Sequence, residues 1–166
     1  MSDAVLSIGS NVGDRQANLR LALDVLRPWL QAVSAVYETP PWGPVPQADY
    51  LNAVLLVSDG AADAVEWLTR AHAAERSAHR ERDVRWGPRT LDVDVVTVRT
   101  AGGDVRSDDP QLTLPHPRAH ERAFVLVPWL AVDSSAVLRG VPLGDLIALL
   151  PADERAAVRR TGVELR

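Results

Sequence analysis

The segment Leu91-Asp92-Val93-Asp94-Val95-Val96-Thr97-Val98 restricts the fold more than any other part of the chain. Its β-branched residues and its alternation fit a strand. Alternation puts Asp92 and Asp94 on one face, which is expected to continue as Val96 and Val98, with the two acids roughly 6–7 Å apart at a rise of ~3.3 Å per residue. Other elements must be arranged around it. Residues 4–8 read as a buried strand ended by Gly9-Ser10-Asn11, and Leu19, Leu23 and Leu26 follow at helical spacing until Pro28. Val33 to Glu38 alternates as a strand, a breaker-rich loop begins at Thr39, and Leu51 to Val57 reads as a third strand. A helix is predicted over residues 61–78, with Val65, Leu68 and Ala71 or His72 inward. A turn at Ala101-Gly102-Gly103-Asp104 closes the strand that holds the acids. The order strand, helix, strand, strand, helix, strand predicts an α+β, ferredoxin-like core, an antiparallel sheet under two helices. Beyond about Val105 a short hairpin, the LPHPRAHERAF segment and a helix over residues 143–150 are expected, followed by a polar tail without assignment.

At 166 residues the chain suits one domain over residues 1–166. No apolar run reaches the roughly 18 residues of a membrane span, and the start lacks a secretory signal, so a cytoplasmic protein without membrane attachment is expected. There is no cysteine, which excludes disulfides, Cys-ligated zinc, iron–sulfur clusters and thiol catalysis. A net charge of -4 argues against a nucleic-acid partner, because coating phosphates needs a basic excess. All 18 basic residues are Arg, so Lys-dependent phosphate motifs are absent and any phosphate binding rests on Arg.

Asp92 and Asp94 are either acids salt-bridged to Arg or ligands of one or two hard cations, and magnesium suits two carboxylates better than zinc. Just before them stand Arg80, Arg82, Arg85 and Arg89, beside Trp86, Gly87 and Pro88. Such a cluster is either a solvated loop offset by Glu81 and Asp83 or a site for phosphate oxygens, which Arg forks bind in pairs. His116-Pro117-Arg118-Ala119-His120-Glu121-Arg122 adds donors, although Pro117 weakens a helical His116/His120 metal pair. The loop Thr39-Pro40-Pro41-Trp42-Gly43-Pro44-Val45-Pro46 is either a stiff surface loop or one wall of a pocket for a flat heterocycle. In the second case Tyr50 and Phe124 are available to stack and Asn52 to hydrogen-bond. Gly9-Ser10-Asn11 needs no role beyond turning a strand into a helix.

Taken together, GSN at 9–11, ETPPWGP at 38–44, DYLNA at 49–53, RWGPRTLDVDVV at 85–96 and LPHPRAHERAFVL at 114–126 resemble the 6-hydroxymethyl-7,8-dihydropterin pyrophosphokinase family of the folate pathway. The resemblance spans nearly the whole chain, and RWGPRTLD-x-D is its most specific part. It implies a ferredoxin-like α+β fold, transfer of pyrophosphate from ATP to the pterin hydroxymethyl group, AMP as the second product, and two magnesium ions on Asp92 and Asp94. By resemblance, Arg80, Arg82, Arg85 and Arg89 lie on a catalytic loop over the triphosphate, and Glu75, His116 and Arg122 contact the nucleotide or its phosphates. The pterin falls to Thr39, Pro41, Trp42, Tyr50, Asn52 and Phe124. A monomer acting on two small molecules is expected. His72, Gln111, Pro117 and Trp42 depart from the family's commoner residues. Two rival classes make other demands: a ligand-sensing module would need neither acid, and a different metal-dependent transferase would need no flat-ring pocket.

Overall fold

The computed structural model describes residues 1–78 and 89–165. Strand β1 (Ser2–Ser10) leads into α1 (Arg15–Leu26), whose first turn is capped by Asp14 accepting from the Ala17 N–H. Leu19, Ala22, Leu23 and Leu26 form its buried face, and Pro28 ends it in a single 3-10 turn. The strand predicted over 33–38 is broken in two, β2 (Leu30–Val33) and β3 (Tyr37–Thr39). Ser34 causes the break: its Oγ accepts from the Val54 N–H at 2.9 Å, in place of a backbone carbonyl. Both pieces pair antiparallel with β4 (Tyr50–Asp59).

Helix α2 (Ala64–Ser77) starts later than its pattern predicts, because Asp63 caps it by accepting from the Glu66 N–H. Its inner face also differs. Trp67, Ala71, Ala74 and Glu75 are buried, whereas Val65 is 64% exposed. Trp67 takes the core position, its indole N–H donating to Ser2 Oγ, and Val65 lies two residues away, roughly 200° around the helix.

Strand β5 (Asp92–Thr100) pairs with β1, giving the antiparallel order β3-β4-β1-β5 that a split βαβ pattern requires. A register shift between Val5 and Leu6 of β1, opposite Thr97 and Val95, leaves Val96 as an extra residue. This bulge corrects the expected strand face. Asp92, Asp94 and Val96 share one side, but Val98 turns to the other and packs with Val93 and Val95 beneath α1 and α2. Strand β6 (Gly103–Asp104) folds back on β5, and the hairpin of β7 (Ser107–Asp109) and β8 (Leu112–Leu114) returns the chain to the acids.

The second sheet face is also covered, so the fold has three layers where sequence periodicity indicates two. Helix α3 (Ala123–Val132) lies over it, followed by the hairpin of β9 (Val137–Leu138) and β10 (Val141–Pro142) and by α4 (Leu143–Ala148). Helix α5 (Ala152–Ala157) and β11 (Arg159–Arg160) are the last described elements, β11 adding to the outer edge of β3. No helix among the described residues is long and apolar enough to cross a membrane.

Candidate active site

The start of β5, the connection between β3 and β4, and the segment leading into α3 meet around a cleft of about 410 Å³. Asp92 and Asp94 enter it from β5. Asp94 Oδ2 lies 3.5 Å from Arg122 Nη1 and 4.0 Å from His116 Nε2. His116 is fixed by its backbone N–H donating to the Val96 carbonyl, and its Nδ1 accepts from the Arg118 N–H at 3.2 Å. Because Nδ1 accepts, the ring proton belongs on Nε2, facing Asp94. Burial, with the Arg122 cation second, lowers the imidazole pKa from 6.5 to about 4, so His116 is neutral at physiological pH. Burial also lowers the Arg122 pKa, opposed by Asp94 and Asp92, and the guanidinium remains a cation.

Aromatic rings build the opposite wall. The Arg122 guanidinium carbon stands 5.2 Å from the Trp42 ring centre and 5.5 Å from that of Phe124, and Arg118 stands 5.4 Å from Trp42. Of the residues that the family resemblance assigns to the pterin, Thr39, Trp42, Tyr50, Asn52 and Phe124 line this one cleft, and Pro40 lines it in place of Pro41. Asn52 is buried and donates to Thr39 Oγ1 at 2.6 Å, which fixes the orientation of its amide.

A second cavity of about 230 Å³ opens on the other side of the acids, lined by Leu68, His72, Glu75, Gln111, Leu112 and Thr113 among others. Asp92, Asp94, His116 and Pro117 line both cavities and form the seam between them. Glu75 is buried there, with Oε1 accepting from the Val93 N–H at 3.1 Å. Arg89 lines the first cleft and exchanges two hydrogen bonds with Asn11, its N–H donating to Asn11 Oδ1 and its carbonyl accepting from the Asn11 N–H. Arg80, Arg82 and Arg85 lie outside the described residues.

Residues 5–134 match the family described as 7,8-dihydro-6-hydroxymethylpterin-pyrophosphokinase. The chain belongs to this family. The 2-amino-4-hydroxy-6-hydroxymethyldihydropteridine pyrophosphokinase of Mycobacterium leprae is 49% identical over 176 residues, covering 100% of this chain and 92% of its own length. That of Mycobacterium tuberculosis H37Rv is 46% identical over 168 residues, covering 96% and 89%. A crystal structure of Plasmodium falciparum HPPK-DHPS superposes with a TM-score of 0.66 at 12% identity, across 96% of this chain and 47% of that one, and supports the fold alone. The activity of the chain is that of a pterin pyrophosphokinase in folate biosynthesis.

For a pyrophosphokinase the missed residues matter as much as the expected ones. Gly9 lines the cleft, and a side chain does not fit there because a Cβ would stand 2.7 Å from Asn52 Oδ1 and 3.3 Å from Tyr50 Cδ1. Its signal was the GSN turn, which local reading assigns to a change of direction only. Arg118, one of the donors of the His116–Arg122 segment, stands over Trp42, a contact that sequence separation hides. Among the described residues no group of three or more His, Asp or Glu side chains gathers into a metal site.

Proposed function

We propose that the pterin ring occupies the aromatic cleft, that ATP reaches into the second cavity, and that pyrophosphate passes between them at the seam. The observation that carries this reading is the position of Asp92 and Asp94, shared by a ring-lined cleft and a separate polar cavity. Tyr50 and Phe124 would stack on the heterocycle, Asn52 and Thr39 would meet its amide edge, and Trp42 and Pro40 would close the loop side. Glu75, which lines the second cavity, would contact the nucleotide from α2.

The donor set fits magnesium. Among the described residues the two carboxylates gather no third His, Asp or Glu, which suits a cation that keeps water and takes phosphate oxygens, whereas a structural zinc site needs a closed set. Asp92 and Asp94 would hold two such ions, which supply neutralisation of charge on the transferred group and on the leaving nucleotide. The chain's own residues do the rest. Arg89 and Arg122 would hold phosphate oxygens, joined by Arg80, Arg82 and Arg85 from the segment before β5. Neutral His116 would offer its Nε2–H to a phosphate oxygen. The hydroxymethyl oxygen would attack the β-phosphorus of ATP in line and lose its proton to water, while the bond from that phosphorus to the bridging oxygen breaks and the oxygen leaves with AMP, with positioning and electrostatics supplying most of the acceleration.

Separate substitutions test the two halves. Asn52→Ala is expected to weaken pterin binding by roughly 1–3 kcal/mol, the cost of losing a buried polar contact, with nucleotide binding retained. Asp94→Asn is expected to lower kcat by at least roughly a hundredfold while pterin still binds. Loss of both ligands in both variants would contradict the division.

A further inference from the structure

The chain between β3 and β4 brings Pro40 and Trp42 into the aromatic cleft, and the residues at its neck, Thr39 and Tyr50, line the same cleft. Glu38 lies next to that neck on the β3 side, and Asp49 is the last residue of the loop before β4. Two arginines from opposite ends of the sequence close the neck. Arg15, at the start of α1, donates to Glu38 Oε2 at 2.9 Å and to the Asp49 carbonyl at 3.1 Å. Arg159, in β11, donates to Glu38 Oε1 at 3.1 Å and to Asp49 Oδ2 at 3.4 Å. One carboxylate is therefore shared between two guanidinium groups, and each group spans both sides of the neck.

Arg159 is held in place by more than its ion pairs. Arg159 and Arg160 pair with Glu38 and Tyr37 along the outer edge of β3. Thr161 follows, its N–H and Oγ1 both donating to the Val36 carbonyl at 2.9 and 2.8 Å. Leu165, 4% exposed, is anchored in the core with α1 and α2. Without β11, the three residues of β3 would form a sheet edge with one neighbour. This tail lies beyond residue 134, where the match to the family ends.

We propose that Arg159 is a positioning residue for the pterin half of the site: it draws Glu38 and Asp49 together so that Thr39, Trp42 and Tyr50 are held at the spacing the ring requires. It lines neither cavity beside the acids and acts only through the loop neck. The inference rests on the reading that the pterin occupies the aromatic cleft.

The test measures two dissociation constants, for a non-hydrolysable ATP analogue with magnesium and for 6-hydroxymethyl-7,8-dihydropterin added to that complex. The variants are Arg159→Ala, Arg159→Lys and, as control, Asn52→Ala. Because the Arg159 side chain is 58% exposed, its removal leaves the core intact. Arg159→Ala is expected to weaken pterin binding by roughly threefold to tenfold and the ATP analogue by less than about twofold, and to raise the pterin KM more than it lowers kcat. Arg159→Lys, which keeps the charge and loses the fork, is expected to fall between Ala and Arg. Wild-type pterin affinity in Arg159→Ala, equal loss of both ligands, or a Lys variant no better than Ala would overturn the proposal. If Asn52→Ala weakens pterin binding and Arg159→Ala does not, only the positioning role fails. If Asn52→Ala has no effect either, the placement of the pterin itself fails.

Discussion

Asp94 sits between a cation and a neutral imidazole, and that difference gives His116 a pH signature of its own. The imidazole pKa is 6.5 in ordinary surroundings and about 4 in the fold, because burial and then Arg122 oppose its charge. Between those values the unfolded chain binds a proton that the folded chain refuses. The His116 contribution to stability is thus fully present above pH 6.5 and is lost as pH falls toward 4, by up to ~3 kcal/mol. Denaturant unfolding of wild type and His116→Asn between pH 4 and 7 checks this: the difference in slope should lie between pH 4 and 6.5, and parallel curves would contradict it. Gly9 carries a steric expectation. Gly9→Ala sets a methyl group 2.7 Å from Asn52 Oδ1, a contact that is relieved only by moving the amide that Thr39 holds. An overpacking cost of about 1–3 kcal/mol and a raised pterin KM are expected, measurable by thermal unfolding and steady-state kinetics. At this scale the sequence is readable where the motif is local. Asp92 and Asp94 share a strand face by spacing alone, whereas the need for glycine at position 9 appears only when β4 is laid beside β1.

Elements were readable in proportion to their periodicity. Helix α1 has an apolar stripe and a breaker at Pro28, and its extent follows from them. Helix α3 has neither signal. Its sequence AFVLVPWLAV is apolar on every side and contains Pro128, because it is packed between the sheet and α4, and a helix so enclosed has no polar face to mark its period. The bulge at Val96 is invisible for a different reason, since it is a mismatch with β1 and not a property of β5. Helix α2 shows competition between residues. Val65 suits an inner position by spacing, yet Trp67 takes it, hydrogen-bonded to Ser2 and facing Trp29 edge-on at 6.3 Å. Trp67→Ala is expected to cost about 3–5 kcal/mol of stability, read by denaturant unfolding. Its kcat should stay near wild type at temperatures where it remains folded, because Trp67 lines neither cavity at the seam.

At the scale of the whole molecule, the sheet serves as a platform whose middle strands carry the chemistry and whose flanking segments complete it. Strand β5 brings the acids, β3, β4 and the loop between them bring Thr39, Trp42, Tyr50 and Asn52, and the segment before α3 brings His116 and Arg122. Element order in the sequence indicated the platform, and the RWGPRTLD-x-D signature indicated the reaction. The tail's part was not visible, because Arg159 acquires meaning only beside Glu38 and Asp49, more than a hundred residues earlier. The central claim is that one pyrophosphoryl group crosses the seam at Asp92 and Asp94. Its most direct measurement resolves the nucleotide products formed from ATP with magnesium and 6-hydroxymethyl-7,8-dihydropterin, for wild type and Asp94→Asn. The account requires pterin-dependent AMP from wild type, reduced at least roughly a hundredfold in the variant. ADP or free phosphate as the product, or AMP released by Asp94→Asn at the wild-type rate, would contradict it.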